Sequence, residues 1–461
     1  MAAPKQAGGT AAAPNYPDGS GAVRTSGEEK LVETRDLVTN FYTYEGVVQA
    51  LNGVSIVVKH GETYGLVGES GCGKSVTVRS IMRIVQEPGA IEGGQVLLFL
   101  SEEDRKRGID LLKRSEAYMQ SLRGNDISMI FQEASTSLNP VLTIGYQVGE
   151  SFLLHRMKDV LEMTLERIEE ELADKSRKLG RGWRKVTRNI LTKELDAHTR
   201  WLKKVGEIDK RLYQLEEQKD PASAAEKGEL NRKREKLRKT SRLAGVANRV
   251  PILKRYRKSI LQTIRELAVK LLNDLGVPNP ENVVDRYPHE LSGGMQQRIV
   301  ISIALACHPK LLIADEPTSN LDVTIQAQIL DLIKTLKDTN ISSVLFITHD
   351  LGVVAEICDR VTVMYAGDAC ETADVEELFA NPLHPYTKGL LKSVPKVEQK
   401  EALDTIPGIV PNLVNPPSGC RFHPRCPYML DVCKREKPKM YRDPNNPGHT
   451  VLCHLYCEED K

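Results

Sequence analysis

The 461-residue sequence is poor in aromatic side chains, with seven Phe, two Trp and fourteen Tyr. Its cores must be aliphatic, and an apolar share of 40% is enough to exclude a chain disordered throughout. No run of about 18 apolar residues occurs, which excludes a bilayer-spanning helix. No charged segment followed by an apolar one opens the chain, so no secretion signal is expected. Of the nine cysteines, five fall between Cys420 and Cys457. Without a secretion signal, that clustering points to metal or cluster ligation rather than disulfides. Net charge is nearly absent too: 64 Lys plus Arg face 62 Asp plus Glu, leaving +2. In an evenly charged chain this would argue against nucleic-acid binding.

The charge is not even. Residues 156–258 hold about thirty basic and about seventeen acidic residues, a local charge of about +13, so the remainder carries about −11. Within this stretch Leu161, Leu165, Ile168 and Leu172, then Leu202, Val205, Ile208, Leu212 and Leu215, recur at spacings of three and four, which predicts helical stripes. Gly180 to Gly182 and Asp220 to Ser223 read as interruptions. The expected organisation is a disordered tail over residues 1–28, a globular α/β domain over 29–155 and 259–380, a basic helical insertion over 156–258, and a separate Pro- and Cys-rich extension over 381–461.

The globular part carries phosphate chemistry. Gly68-Glu-Ser-Gly-Cys-Gly-Lys-Ser75 follows a predicted strand and precedes a predicted helix, the context a P-loop requires. Glycines let backbone N–H groups wrap a phosphate, and the helix N-terminus favours the anion. Lys74 would reach the β- and γ-phosphates and Ser75 would bind Mg²⁺. Leu311-Leu-Ile-Ala-Asp-Glu316 is an aliphatic run ending in two carboxylates. Asp315 would hold Mg²⁺, and Glu316 would polarise an attacking water as general base. Leu291-Ser-Gly-Gly-Met-Gln-Gln-Arg298 places small residues at a second helix start.

Together these strings resemble ABC-type ATPases. The resemblance implies an α/β P-loop ATPase fold with a helical subdomain, here lengthened by the coiled-coil-like insertion and followed by a small Cys-rich extension. It implies that Gly68, Ser70, Gly71, Gly73, Lys74, Ser75 and Val76 cradle ATP. It implies that Ser292, Gly293, Gly294 and Gln296 of one subunit face the γ-phosphate held by another. Gln132 matches the Mg²⁺- and water-contacting glutamine. Asp322 matches the acid of the next loop, with Asn320 in place of the commoner Ala. His349 matches the switch histidine that orients the water. Tyr44 or Tyr42 would stack on adenine, and the sequence does not choose between them.

Finer strings, Glu133-Ala-Ser-Thr-Ser-Leu-Asn-Pro140, Tyr287-Pro-His-Glu-Leu-Ser292 and Asn381-Pro-Leu-His-Pro-Tyr-Thr387, resemble the oligopeptide/dipeptide permease ATPases. This branch implies an ATP-hydrolysing subunit of an importer for peptides, or for oligosaccharides or nickel. Its expected place is peripheral, on the cytoplasmic face of the membrane. Expected partners are two transmembrane permease subunits, a second ABC ATPase subunit in a heterodimer and, indirectly, an extracytoplasmic solute-binding protein, with no nucleic acid. Cys420, Cys426, Cys433 and Cys453 resemble the thiolates that hold a [4Fe–4S] cluster in some members, with Zn²⁺ as the alternative. Cys457 could replace Cys453. The basic insertion is expected to meet anionic lipid, the permease subunits or the paired ATPase, against a plain solvated hairpin. A second reading, a DNA-repair or chromosome-maintenance ATPase, rests on that insertion alone.

Overall fold

Short aliphatic runs alternating with helical stretches leave the chain one economical solution, a sheet buried on both faces. The computed structural model describes residues 29–100, 107–174, 181–217, 226, 228–230, 232–233, 251–319, 322–339, 343–393 and 406–457. The expectations for residues 1–28, for Gly180, for Asn320 and for the turn at 220–223 lie outside them.

The N-terminal strands form an antiparallel sheet. β1 (Lys30–Thr43) lies between β2 (Gly46–Val54) and β5 (Gly89–Leu98), β3 (Val57–Lys59) pairs with β1, and β6 (Ile109–Asp110) flanks β5. β4 (Thr63–Val67) leaves this sheet for a second one. There it joins β7 (Ile127–Ile130), β8 (Leu311–Asp315), β9 (Ser343–Thr348) and β10 (Arg360–Tyr365) in the parallel order β10-β4-β9-β8-β7. β4, β8 and β9 are buried at every residue, which is why they read as unbroken apolar runs. Helix α1 (Lys74–Ile81) is sealed between the two sheets by Val78, Ile81, Leu51, Leu66 and Ile313.

The helical side follows from amphipathic patterning. α2 (Glu116–Leu122) and α3 (Ala134–Ser137) are short. α4 (Ile144–His155), α5 (Met157–Ala173) and α6 (Arg181–Glu217) run nearly consecutively. α7 (Pro251–Asp274), the single turn α8 (Pro280–Val283) and α9 (Gly293–Leu305) return the chain to β8. Leu161 and Ile168 of α5, Leu191 of α6 and Ile260 and Ile264 of α7 join the main core. The Thr164 and Thr263 hydroxyls meet at 2.9 Å between α5 and α7, and Arg184 pairs with Glu171 at 2.8 Å where α6 turns back on α5. At 37 residues α6 is about 55 Å long. The stripe along it is uneven: Leu212 and Leu215 are buried, but Leu202, Trp183 and Val186 are exposed.

After α10 (Val323–Thr339) and α11 (Leu351–Ile357), β11 (Asp368–Asp374), α12 (Val375–Ala380) and α13 (Pro385–Lys392) lead into the cysteine-bearing end. The sequence pattern suggested a separate appendage. Instead β13 (Thr450–Leu452) pairs with β11, and β12 (Met440–Arg442) with β13, extending the main sheet to eight strands. The reason is backbone pairing: β11 would otherwise present an open edge, and the chain's last strands cover it.

Candidate functional site

The phosphate loop leaves β4 at Gly68, whose φ is +151°. A Cβ there would stand 2.2 Å from the Met364 carbonyl oxygen. Gly73, at φ +104°, would drive a Cβ to 2.8 Å from the Ala50 carbonyl oxygen. Only glycine fits either position. Gly71 also has positive φ but open space around it. α1 starts at Lys74, so its first N–H groups point into the loop where an anion is favoured. Lys74 is buried and its Nζ donates to the Gly68 and Glu69 carbonyls at 2.7 and 3.1 Å. Ser75 Oγ donates to Asp315 Oδ1 at 2.8 Å, joining the loop to the end of β8. Burial pushes the Asp315 carboxyl up, while the Ser75 hydrogen bond and the Arg79 charge work the other way. These adjoining hard oxygens suit Mg²⁺. Ser70 lies within the loop, and Val76, just after it in α1, packs half-buried against the inter-sheet core.

The next three strand ends converge. Glu316 has φ +48°, a strained setting for a non-glycine residue that recurs at functional sites. Its carboxylate accepts from Gln132 Nε2 at 3.2 Å and lies 3.4 Å from His349 Nδ1. Gln132 follows β7, Glu316 follows β8 and His349 follows β9. Ser319 ties the group together, its Oγ 3.0 Å from the Glu316 carbonyl and 3.3 Å from that of Gln132. An acceptor that can polarise water thus sits beside the Ser75–Asp315 pair, at the C-terminal edge of a parallel sheet.

The second helix start stands apart. Ser292 precedes α9 and its hydroxyl makes no cap hydrogen bond. Gly293 has open space, and Gly294 lies close to Ile325. Among the described residues no hydrogen bond joins residues 292–294 to residues 68–75. Gln296 is held locally, donating to the Pro288 and Leu291 carbonyls at 2.9 and 3.1 Å. Its neighbour Gln297, which sequence reasoning passed over, is buried and donates to the Pro317 carbonyl at 2.6 Å, linking α9 to the loop after Glu316. Asp322 Oδ1 accepts from the Ile325 N–H at 2.9 Å and caps α10. Tyr44 is fully exposed at the β1–β2 turn, whereas Tyr42 donates to Glu92 at 2.7 Å.

A contact with the C-terminal region was also not legible. Arg425 grips Glu69 of the phosphate loop through both carboxylate oxygens, at 2.9 and 3.2 Å. The Tyr386 hydroxyl accepts the Glu69 N–H at 3.0 Å. Burial would lower the Arg425 pKa, but the hydrogen bonds to Glu69 and Tyr365 hold it above its ordinary value. Nothing local in the sequence signals a pairing across 356 positions.

Cys420, Cys426, Cys433 and Cys453 are all unoxidised thiols. Burial pushes the Cys453 thiol up to about 12, and Cys420, Cys426 and Cys433 add to the rise. Cys420 is pushed up to about 11 by burial, with Cys433 and Cys426 contributing. The four therefore share one electrostatic neighbourhood. No three of their sulfurs lie within 4.8 Å of one another. A single tetrahedral zinc, with sulfurs about 2.3 Å away, needs them about 3.8 Å apart. The four thiols are neighbours, but among the described residues their sulfurs do not form a ready-made ligand set for one metal ion.

Residues 51–319 match the family described as ABC transporter. Residues 370–433 match the oligopeptide/dipeptide transporter C-terminal region. Over 92% of its length the chain is 38% identical to a probable peptide ABC transporter ATP-binding protein of Sinorhizobium fredii, covering 94% of that protein. It is 38% identical to the oligopeptide transport ATP-binding protein AppD of Bacillus subtilis, across 93% of this chain and 98% of AppD. It is 37% identical to the dipeptide transport ATP-binding protein DppD of the same organism, across 93% and 95%.

Proposed function

The chain belongs to the ABC transporter ATP-binding proteins, in their oligopeptide/dipeptide branch, and from that premise we propose that it hydrolyses ATP to power a peptide importer. The DNA-repair alternative finds no support among the relatives. The observation that carries the reading is the meeting of Gln132, Glu316 and His349 beside Ser75 and Asp315.

In this reading the phosphate loop and Lys74 bind the triphosphate, and Tyr44 stacks on adenine. Ser75, Asp315 and Gln132 hold Mg²⁺. Glu316 takes a proton from water attacking the γ-phosphorus, while His349 orients that water and Gln132 keeps the carboxylate aimed. Ser292, Gly293, Gly294 and Gln296 complete the site of a partner ATPase across a heterodimer, which accounts for their separation from this chain's own loop. Asp322 sits at the junction. Closure and reopening of that dimer would drive two permease subunits fed by a solute-binding protein. Among the described residues no helix is long and apolar enough to cross a membrane, so attachment from the cytoplasmic face would run through those partners. Peptide is the favoured cargo because the relatives named above carry peptide names, with oligosaccharide as the second class. Copurification with two multi-span proteins, and ATPase activity stimulated by a peptide-loaded binding protein, would support the reading. Stimulation by oligosaccharide alone would move the cargo. Absence of both associations would sink it.

Two finer readings belong here. Cys420, Cys426, Cys433 and Cys453 are proposed to hold [4Fe–4S], which when bound supplies a structural staple with redox sensitivity. Anaerobic purification with absorbance near roughly 400 nm and matching iron and sulfide would support it; zinc in place of iron would replace it. The basic insertion is proposed to meet anionic lipid. Replacing the exposed Lys185, Arg200, Lys203 and Lys204 with Gln should weaken lipid-stimulated ATPase activity of the full complex while detergent-solubilised activity persists, and unchanged coupling would refute that.

A further inference from the structure

Away from the nucleotide and cysteine sites, the end of the chain buries a histidine among three acids. His449 is wholly inaccessible to solvent. Its Nε2 lies 2.7 Å from Oε1 of Glu371, which is itself buried. Glu371 is fixed in turn by the Leu383 and His384 N–H groups at 2.6 and 2.9 Å. The other ring nitrogen, Nδ1, is buried with no hydrogen-bond partner and lies 3.5 Å from Glu377 Oε1.

The β12–β13 turn brings the third group. Asp443 N–H donates to the His449 carbonyl at 3.0 Å, folding the turn back on itself. Glu377 comes from α12, far from the hairpin in sequence. One ligand atom from each of Glu377, Asp443 and His449 falls within 4.8 Å of the others, and among the described residues this set is alone in doing so. Asn381 Nδ2 donates to Glu377 at 3.1 Å and the Asn445 N–H donates to Asp443 at 2.9 Å, so both carboxylates are aimed.

We propose that Glu377, Asp443 and His449 Nδ1 form a binding site for a divalent cation of the zinc class, with Glu371 as the positioning residue behind the imidazole. With a carboxylate accepting from the remote ring nitrogen, the neutral imidazole keeps its lone pair on the inward one, as metal-bound histidines require. One imidazole with two carboxylates suits Zn²⁺ and its first-row neighbours; Mg²⁺ and Ca²⁺ prefer all-oxygen sets and Cu⁺ prefers sulfur. Bound there, the ion would clip the β12–β13 hairpin to α12. That would lock the added strands onto the sheet edge without touching the nucleotide site. The site stands independently of the cargo and of the cysteine cluster.

The test uses the full chain with buffered Zn²⁺, comparing wild type with Glu377→Gln and Asp443→Asn. Metal content after equilibrium dialysis should fall by about one equivalent in each variant, while MgATP binding reports an intact fold. With Co²⁺ as probe, the wild-type-minus-variant spectrum should show ligand-field bands without thiolate charge transfer. Equal zinc content in all three proteins would overturn the proposal and leave a protonated His449 bridging Glu371 and Glu377. So would a difference spectrum carrying thiolate charge transfer, which would assign the lost ion to the cysteines.

Discussion

The bond between Arg425 and Glu69 ties the cysteine-bearing end to the loop that wraps phosphate, and its strength can be worked out. The Arg425 side chain is 6% exposed and that of Glu69 26%, so solvent screens the pair little. Two charge-assisted hydrogen bonds at 2.9 and 3.2 Å join them. Arg425 also donates to the Pro407 and Ile406 carbonyls, at 3.0 and 3.2 Å, and lies over Tyr365. A single substitution therefore measures more than this pair. Arg425→Met keeps the packed stem, and Glu69→Gln keeps the shape. A hydrogen bond to a charged partner contributes about 1.5–3 kcal/mol, and partial exposure of Glu69 places the coupling near the lower half, about 2 kcal/mol. The assay is a double-mutant cycle in urea with both singles and the double variant, with MgATP affinity read in parallel. The double variant should lose about 2 kcal/mol less stability than the sum of the singles. Its nucleotide affinity should fall no further than that of Glu69→Gln. Additivity within about 0.5 kcal/mol would refute the reasoning and reduce the contact to surface decoration of the loop.

Glu316→Gln should slow hydrolysis about 10²- to 10⁴-fold while nucleotide binding persists; single-turnover rates within tenfold of wild type would remove the base assignment. Gly68→Ala should abolish MgATP binding, because its Cβ would meet the Met364 carbonyl at 2.2 Å; retained affinity in a fluorescent-nucleotide titration would contradict the loop geometry. Burial pushes His384 down to about 4 from its ordinary 6.5, so between those pH values the unfolded chain binds a proton that the folded chain refuses. Stability from this site is complete above pH 6.5 and falls as pH drops toward 4, by up to about 3 kcal/mol. His384 Nδ1 accepts the Tyr386 N–H at 3.0 Å. His384→Asn keeps such an acceptor and should flatten the stability-versus-pH curve over that window; an unchanged slope would place the acid sensitivity elsewhere.

Local pattern was enough wherever one element carries one role. The glycines of 68–73, the run ending in Asp315 and Glu316, and the small residues before α9 each state their chemistry in a few consecutive positions. Each backbone conformation admits few residue types, so the string itself is diagnostic. The heptad stripe in α5 was legible for the same reason: Leu161 and Ile168 are buried, and Leu165 and Leu172 pack half-buried against the same core. The charge asymmetry between the insertion and the rest needed only counting.

Relations between distant residues were decided by the fold. Arg425 with Glu69, His449 with Glu377, and Gln297 with Pro317 come together because separate elements are packed side by side, and no periodicity encodes a partner hundreds of positions away. The cysteine-bearing end read as an appendage because Pro and Cys mask short strands. Only pairing with the exposed edge of β11 gives those few residues enough backbone hydrogen bonds to be strands at all. Composition and motif determined which chemistry the chain can perform; tertiary packing decided which loops feel one another while it is performed.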